Sequence, residues 1–150
     1  MNKTVRLGVL AILVFSIGCA AQGGSGGGDT GGMDRVSSSG KGIKIVKPRT
    51  AESVDNKVEV CIEADGYTVE PAKNGVNEGK GHHHLIIDVD LPPAGQPIPK
   101  DSNHVHMGDG STCKTLELSD GMHRIQALFA KGNHVPYDPP VTDSIVVFVQ

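Results

Sequence analysis

Gly81-His82-His83-His84-Leu85-Ile86-Ile87-Asp88-Val89-Asp90 runs three histidines straight into an apolar segment, in a chain of 150 residues with seven histidines and no tryptophan. Leu85, Ile87 and Val89 alternate with Ile86, Asp88 and Asp90, the period-two signature of a strand with one apolar face. Carried backward, the same period sets His83 on the Leu85 face, and His82 and His84 on the opposite one. The remaining histidines follow in small groups: His104 and His106, then His123, then His134.

The flanking sequence repeats the strand pattern. Upstream, Ile43 and Ile45 alternate before Pro48, and Val58, Val60 and Ile62 share one face of a segment whose other face carries Glu59, Cys61 and Glu63. Tyr67 to Pro71 is a brief extended piece ahead of a Gly/Asn-rich loop. Downstream, a proline-rich loop from Leu91 to Lys100 precedes Asn103 to Met107, where His104 and His106 point one way and Val105 the other. Thr112 to Leu118, Met122 to Ala130 and Ser144 to Val149 supply three more strands, with Ser119-Asp120-Gly121 as a hairpin signal between the first two. About seven short strands and no amphipathic helix predict an all-β domain, an immunoglobulin-like antiparallel β-sandwich.

The domain is expected to span residues 43–150. Ahead of it, Met1 to Arg6 is a basic start and Leu7 to Ile17 an apolar run, the layout of a secretory signal over residues 1–18. That run is short of the roughly 20 residues needed for a membrane span. Ser16-Ile17-Gly18-Cys19 resembles a bacterial lipobox, which implies lipidation of the Cys19 thiol and cleavage before it. Ala20 in the next position favours the outer membrane, with the lipid anchor as the contact to that membrane. Residues 19–42 would then be a lipid-anchored tether, since Gly23 to Gly28 and Ser37 to Gly40 cannot bury enough apolar surface to offset their ordering entropy. Loss of Lys3 and Arg6 with the signal takes the formal charge two units below −3. Scattered lysines and 3% aromatic residues argue against a nucleic-acid surface.

Cys61 and Cys113 remain in the exported part, and an even pair in an oxidising compartment predicts a disulfide. In the chain-entropy picture, closing a loop of about 50 residues is worth roughly 4 kcal/mol. With so few aromatic side chains the core is expected to be thin and aliphatic, which makes that cross-link more useful.

Neutral imidazole offers a borderline-soft nitrogen to copper, zinc or nickel ions. Histidines at i and i+2 of a strand share a face about 6.5–7 Å apart, and a paired strand lies about 5 Å away. His82, His84, His104 and His106 are therefore the leading metal ligands, with His123 and His134 in reserve and Asp88 and Asp138 as acceptors for ring N–H groups. Met107 and Met122, each beside a histidine, add thioethers that tilt the expectation to copper ahead of zinc, though core filling explains them equally well. The competing reading makes the histidines structural, most of all His83 and His123, which share the parity of core residues. No H-E-x-x-H or C-x-x-C motif is present to support a catalytic role.

Three motifs together are similar to one bacterial family of small exported proteins, catalogued as domain of unknown function number 4399. They are Gly81 to Asp88, then Pro97-Ile98-Pro99 with His104-Val105-His106, and last Asp138-Pro139-Pro140-Val141. The likeness spans roughly residues 43–150 and implies an exported, sandwich-like domain without supplying an activity. Relatives in that family carry an aspartate-histidine pair and a further histidine before the aspartate-diproline; Asn133-His134 and Tyr137 stand at those places here. The expectation is an outer-envelope lipoprotein that binds or handles a transition metal, copper ahead of zinc. The alternative is an interaction module without an ion, docking on an envelope protein or glycan.

Overall fold

The computed structural model describes residues 40–150, so the expected signal sequence, the expected lipidation at Cys19 and nearly all of the expected tether lie outside the described residues. Among the described residues the fold is all-β. The strands are β1 (Gly42–Lys47), β2 (Glu52–Val54), β3 (Lys57–Asp65), β4 (Thr68–Val69), β5 (Lys80–Ile87), β6 (His104–Met107), β7 (Cys113–Glu117), β8 (Gly121–Ala130) and β9 (Thr142–Val149). Two more strands form than the seven expected, because the short β2 and β4 join the sheets as brief parallel partners of β9 and β5. All other pairings are antiparallel.

One sheet has the order β1-β3-β7 and the other β2-β9-β8-β5-β4, with β6 sharing the outer edge of β5. The alternation read from the sequence produces the core between them. Ile45, Val58, Val60, Ile62 and Leu116 from the small sheet meet Leu85, Ile87, Met107, Ile125, Ala127, Ile145, Val147 and Val149 from the large one. The arrangement is sandwich-like. Cys61 and Cys113, directly opposite on β3 and β7, form the expected disulfide on the side of the small sheet away from this core.

Ser119-Asp120-Gly121 does not make the expected hairpin. The chain changes sheet there, since β7 pairs with β3 whereas β8 pairs with β5 and β9. Leu118 stays tied to Asn56 through its backbone N–H, and the Asn56 amide donates to Asp120 Oδ1. Gly121, at φ 129°, then turns the chain toward the other layer, a backbone state open to glycine.

A second apolar cluster places the histidines. Ile86, Leu128 and Ala130 lie on the face of the large sheet turned away from the core, and the proline-rich loop lays Ile98 over them, with Val89 and Leu91 at the margin. Burying one such isoleucine contributes about 2 kcal/mol. The loop is held by Ile98 N–H donating to His134 O, Asn103 Nδ2–H donating to Ile87 O and Gln126 Nε2–H donating to Val89 O. Strand β5 is consequently buried on both faces from Gly81 to Ile87. That explains the unbroken histidine-to-isoleucine run.

Candidate metal centre

Strand β5 is paired along both edges, with β8 on one side and β4 and β6 on the other. His82 and His84 project from its outer face and are 0% and 2% exposed. Register brings the next ligand. His106 of β6 stands opposite His84, and His104 stands opposite Ile86. A fourth histidine, His134, arrives from the loop between β8 and β9.

The four rings form a compact tetrad. Centroids lie 4.9 Å apart for His82–His84, 4.9 Å for His82–His106, 5.1 Å for His82–His134 and 5.0 Å for His84–His106. The last two separations are 5.9 Å for His84–His134 and 4.8 Å for His106–His134. A square would show two long diagonals; only one separation is long here, so the arrangement is close to a tetrahedron. His82 and His84 face each other Nε2 to Nε2 at 3.0 Å, as do His106 and His134 at 3.2 Å. A tetrahedral ion with bonds of 2.0–2.1 Å would space its nitrogens by about 3.3 Å. Ring nitrogens of His82, His84 and His106 all fall within 4.8 Å of one another, a trio able to hold an ion; His134 stands beside that trio, its Nε2 next to that of His106.

Burial disfavours the charged form of His82, His84 and His106. Burial, then the neighbouring histidines His106, His134 and His83, push His82 down to about 4. Burial, with His82 next, takes His84 to about 2, and His106 is lowered chiefly by desolvation. At neutral pH His82 and His84 therefore present unprotonated nitrogens, the form that coordinates metals. Two lone pairs at 3.0 Å need a proton or a cation between them.

Two local backbone features fit the exposed rings. Gly108 packs beneath His106, and a Cβ added there would overlap Cε1 and Nε2 of that ring. His134 adopts a left-handed backbone at φ 66°, which costs a non-glycine residue about 1–2 kcal/mol. It is held by its N–H donating to Lys131 O and by Lys131 N–H donating to Val135 O. Strain of this kind is often kept where a side chain must be aimed.

The other expected residues go elsewhere. His104 shares the face of the tetrad, yet its Nδ1 pairs with Asp101 Oδ1 at 2.7 Å and its ring is not among the four. His123 lies on β8, its Nδ1 2.6 Å from Asp88 Oδ2 and its Nε2 2.9 Å from Ser119 O. Both contacts favour the protonated ring, and the Asp88 hydrogen bond raises its pKa most. Asp88 therefore serves His123 and the Arg124 N–H rather than the tetrad, and Asp138 is exposed. The Nδ1 atoms of His82 and His84 have no partner among the described residues, so packing and the Nε2–Nε2 contact orient those rings.

His83 is in the core, as its parity predicts, between Phe129 and Met107 in the pairing register. It is fully buried with both ring nitrogens unpartnered among the described residues, which departs from the satisfied interior histidine expected there. Met107 fills the core and Met122 is exposed, so neither thioether joins the four imidazoles. Tyr137 donates to Lys80 O and packs with Tyr67 and Phe129, outside the tetrad. Gly108 is the residue sequence reading missed. It stands two positions after His106 on the same face, where parity alone flags a crowded ring.

No curated protein and no solved structure matches the chain. Residues 60–150 match the family described as Domain of unknown function (DUF4399), a stretch that holds all four tetrad histidines, and the chain belongs to that family.

Proposed function

We propose that this domain binds one late first-row transition ion, copper or zinc, through His82, His84, His106 and His134. The observation that carries the reading is the near-tetrahedral arrangement of four imidazole rings, two of them buried, three of which bring ring nitrogens within 4.8 Å of one another. Copper stands ahead of zinc on the general affinity order of nitrogen ligands, while the tetrahedral spacing suits Zn²⁺ or Cu⁺ better than tetragonal Cu²⁺. A four-ligand protein set leaves no open position of the kind catalytic zinc requires, which points to binding or handling rather than hydrolysis. On this reading the domain works outside the cytoplasm, anchored through Cys19 to the outer membrane, where its partners are the membrane, the ion and an envelope protein that exchanges it.

Titration of the tag-free protein with Cu²⁺, Cu⁺ and Zn²⁺, followed by elemental analysis and melting, tests the proposal. One ion per chain is expected, with a rise in Tm that chelator reverses. The double variant His84→Ala/His106→Ala should lose stoichiometric binding while keeping its β-sheet circular dichroism. Equal binding by the double variant, or none by the wild type, returns these histidines to a structural role in an interaction module.

A further inference from the structure

The four histidines differ in how they are held. His82 and His84 sit on a strand hydrogen-bonded along both edges, under the Ile98 loop, and cannot leave without breaking the sheet. His106 belongs to the four-residue β6, which pairs only with β5, and it is exposed to solvent. His134 is half-buried on a loop with a left-handed backbone. These two rings face each other at 3.2 Å, so they make the rim of the site open to solvent.

We infer that the site is built for transfer: the ion is loaded and released across the His106/His134 rim while His82 and His84 hold it from below. This rests on the metal reading above. Exchange then runs by substitution at the ion. A donor atom of the partner bonds to the metal as the His106 or His134 Nε2 bond breaks, and the second rim histidine follows, with no change in oxidation state. Each freed imidazole is exposed or half-exposed and can be hydrated at once, whereas a freed His82 or His84 would remain dry and unpaired. The partner is thus a carrier or acceptor presenting imidazole, thiolate or carboxylate ligands on a protruding surface able to reach the rim. The disulfide and the two apolar clusters tie the sheets together independently of these histidines, so on this reading the ion is cargo rather than a folding requirement.

The test uses the full chain loaded with one equivalent of Cu²⁺ or Zn²⁺ and mixed rapidly with increasing concentrations of a polyaminocarboxylate chelator. The transfer rate should rise linearly with chelator concentration. His106→Ala and His134→Ala should each retain about one ion per chain and transfer it about tenfold faster or more, whereas His82→Ala should not hold the ion at all. A rate independent of chelator overturns the transfer proposal and leaves binding intact, as do rim variants no faster than wild type. Failure of the wild type to take up any ion overturns the metal reading itself. Circular dichroism of each variant shows that the fold is retained.

Discussion

Gly108→Ala gives the sharpest perturbation of the tetrad, because it changes no ligand. The new methyl would occupy the volume now filled by Cε1 and Nε2 of His106. To restore ordinary carbon contacts near ~3.5 Å the ring must withdraw by upwards of ~1 Å, whereas coordination tolerates only about 0.2 Å. His106 is exposed and can swing outward, so the clash is relieved by the ligand rather than by the fold. Gly108 has no left-handed backbone to strain, and at such positions Gly→Ala is worth up to about 1 kcal/mol of stabilisation. The expected result is therefore an unchanged or slightly higher Tm for the metal-free protein. Metal affinity should fall about 10- to 100-fold, the range for losing the support of one ligand, or about 1.4–2.8 kcal/mol. Competition with a calibrated chelator measures it. In a His106→Ala background the same substitution should add less than about 0.5 kcal/mol, since the ring it displaces is gone. Wild-type affinity in Gly108→Ala, or an equal loss with and without His106, refutes the placement of His106 over Gly108 as a ligand.

Two further outcomes follow from the buried and paired histidines. Burial holds His83 at about 4, below the ordinary 6.5, so the unfolded chain binds this proton first and the metal-free protein loses stability as pH falls from 6.5 toward 4. That loss amounts to up to about 1.4 kcal/mol per pH unit for the group. His83→Leu removes both unpartnered nitrogens, and its acid unfolding midpoint should move to lower pH; a midpoint at or above that of wild type contradicts the assignment. His123 has the opposite sign. Its pKa is raised by the Asp88 hydrogen bond, so its contribution is full below the ordinary histidine range and is lost as pH rises through the raised value. Asp88→Asn should thus destabilise at pH 5.5 and cost progressively less at alkaline pH in urea titrations, while leaving metal stoichiometry untouched; a pH-independent difference sinks the ion-pair account.

Much of this was legible in the sequence for a physical reason. A strand has a period of two, so the parity of Leu85, Ile87 and Val89 fixes His83 inside and His82 and His84 outside without knowledge of the partner strands. Spacing within His104-Val105-His106 likewise assigns a face. What parity cannot give is register. Whether His104 or His106 stands opposite His84 depends on a one-strand alignment set by tertiary pairing, and the structure chooses His106. His134 depends on a loop whose direction is set by backbone hydrogen bonds at Lys131 and Ile98, with no periodic signal to read. The burial of the outer face was equally hidden. Only the folding of Ile98 back over Ile86 and Leu128 closes that face. The change of sheet at Ser119-Asp120-Gly121 escaped for the same reason, since a turn signal says that the chain bends but not which layer it joins.

X-ray absorption at the metal edge of the loaded protein tests the central claim most directly. Four nitrogen scatterers at about 2.0–2.1 Å are predicted, with the outer-shell scattering of imidazole, no sulfur contribution, and one imidazole fewer in His134→Ala. Sulfur in the first shell, fewer than three imidazoles, or a spectrum unchanged by His134→Ala would contradict the four-histidine site.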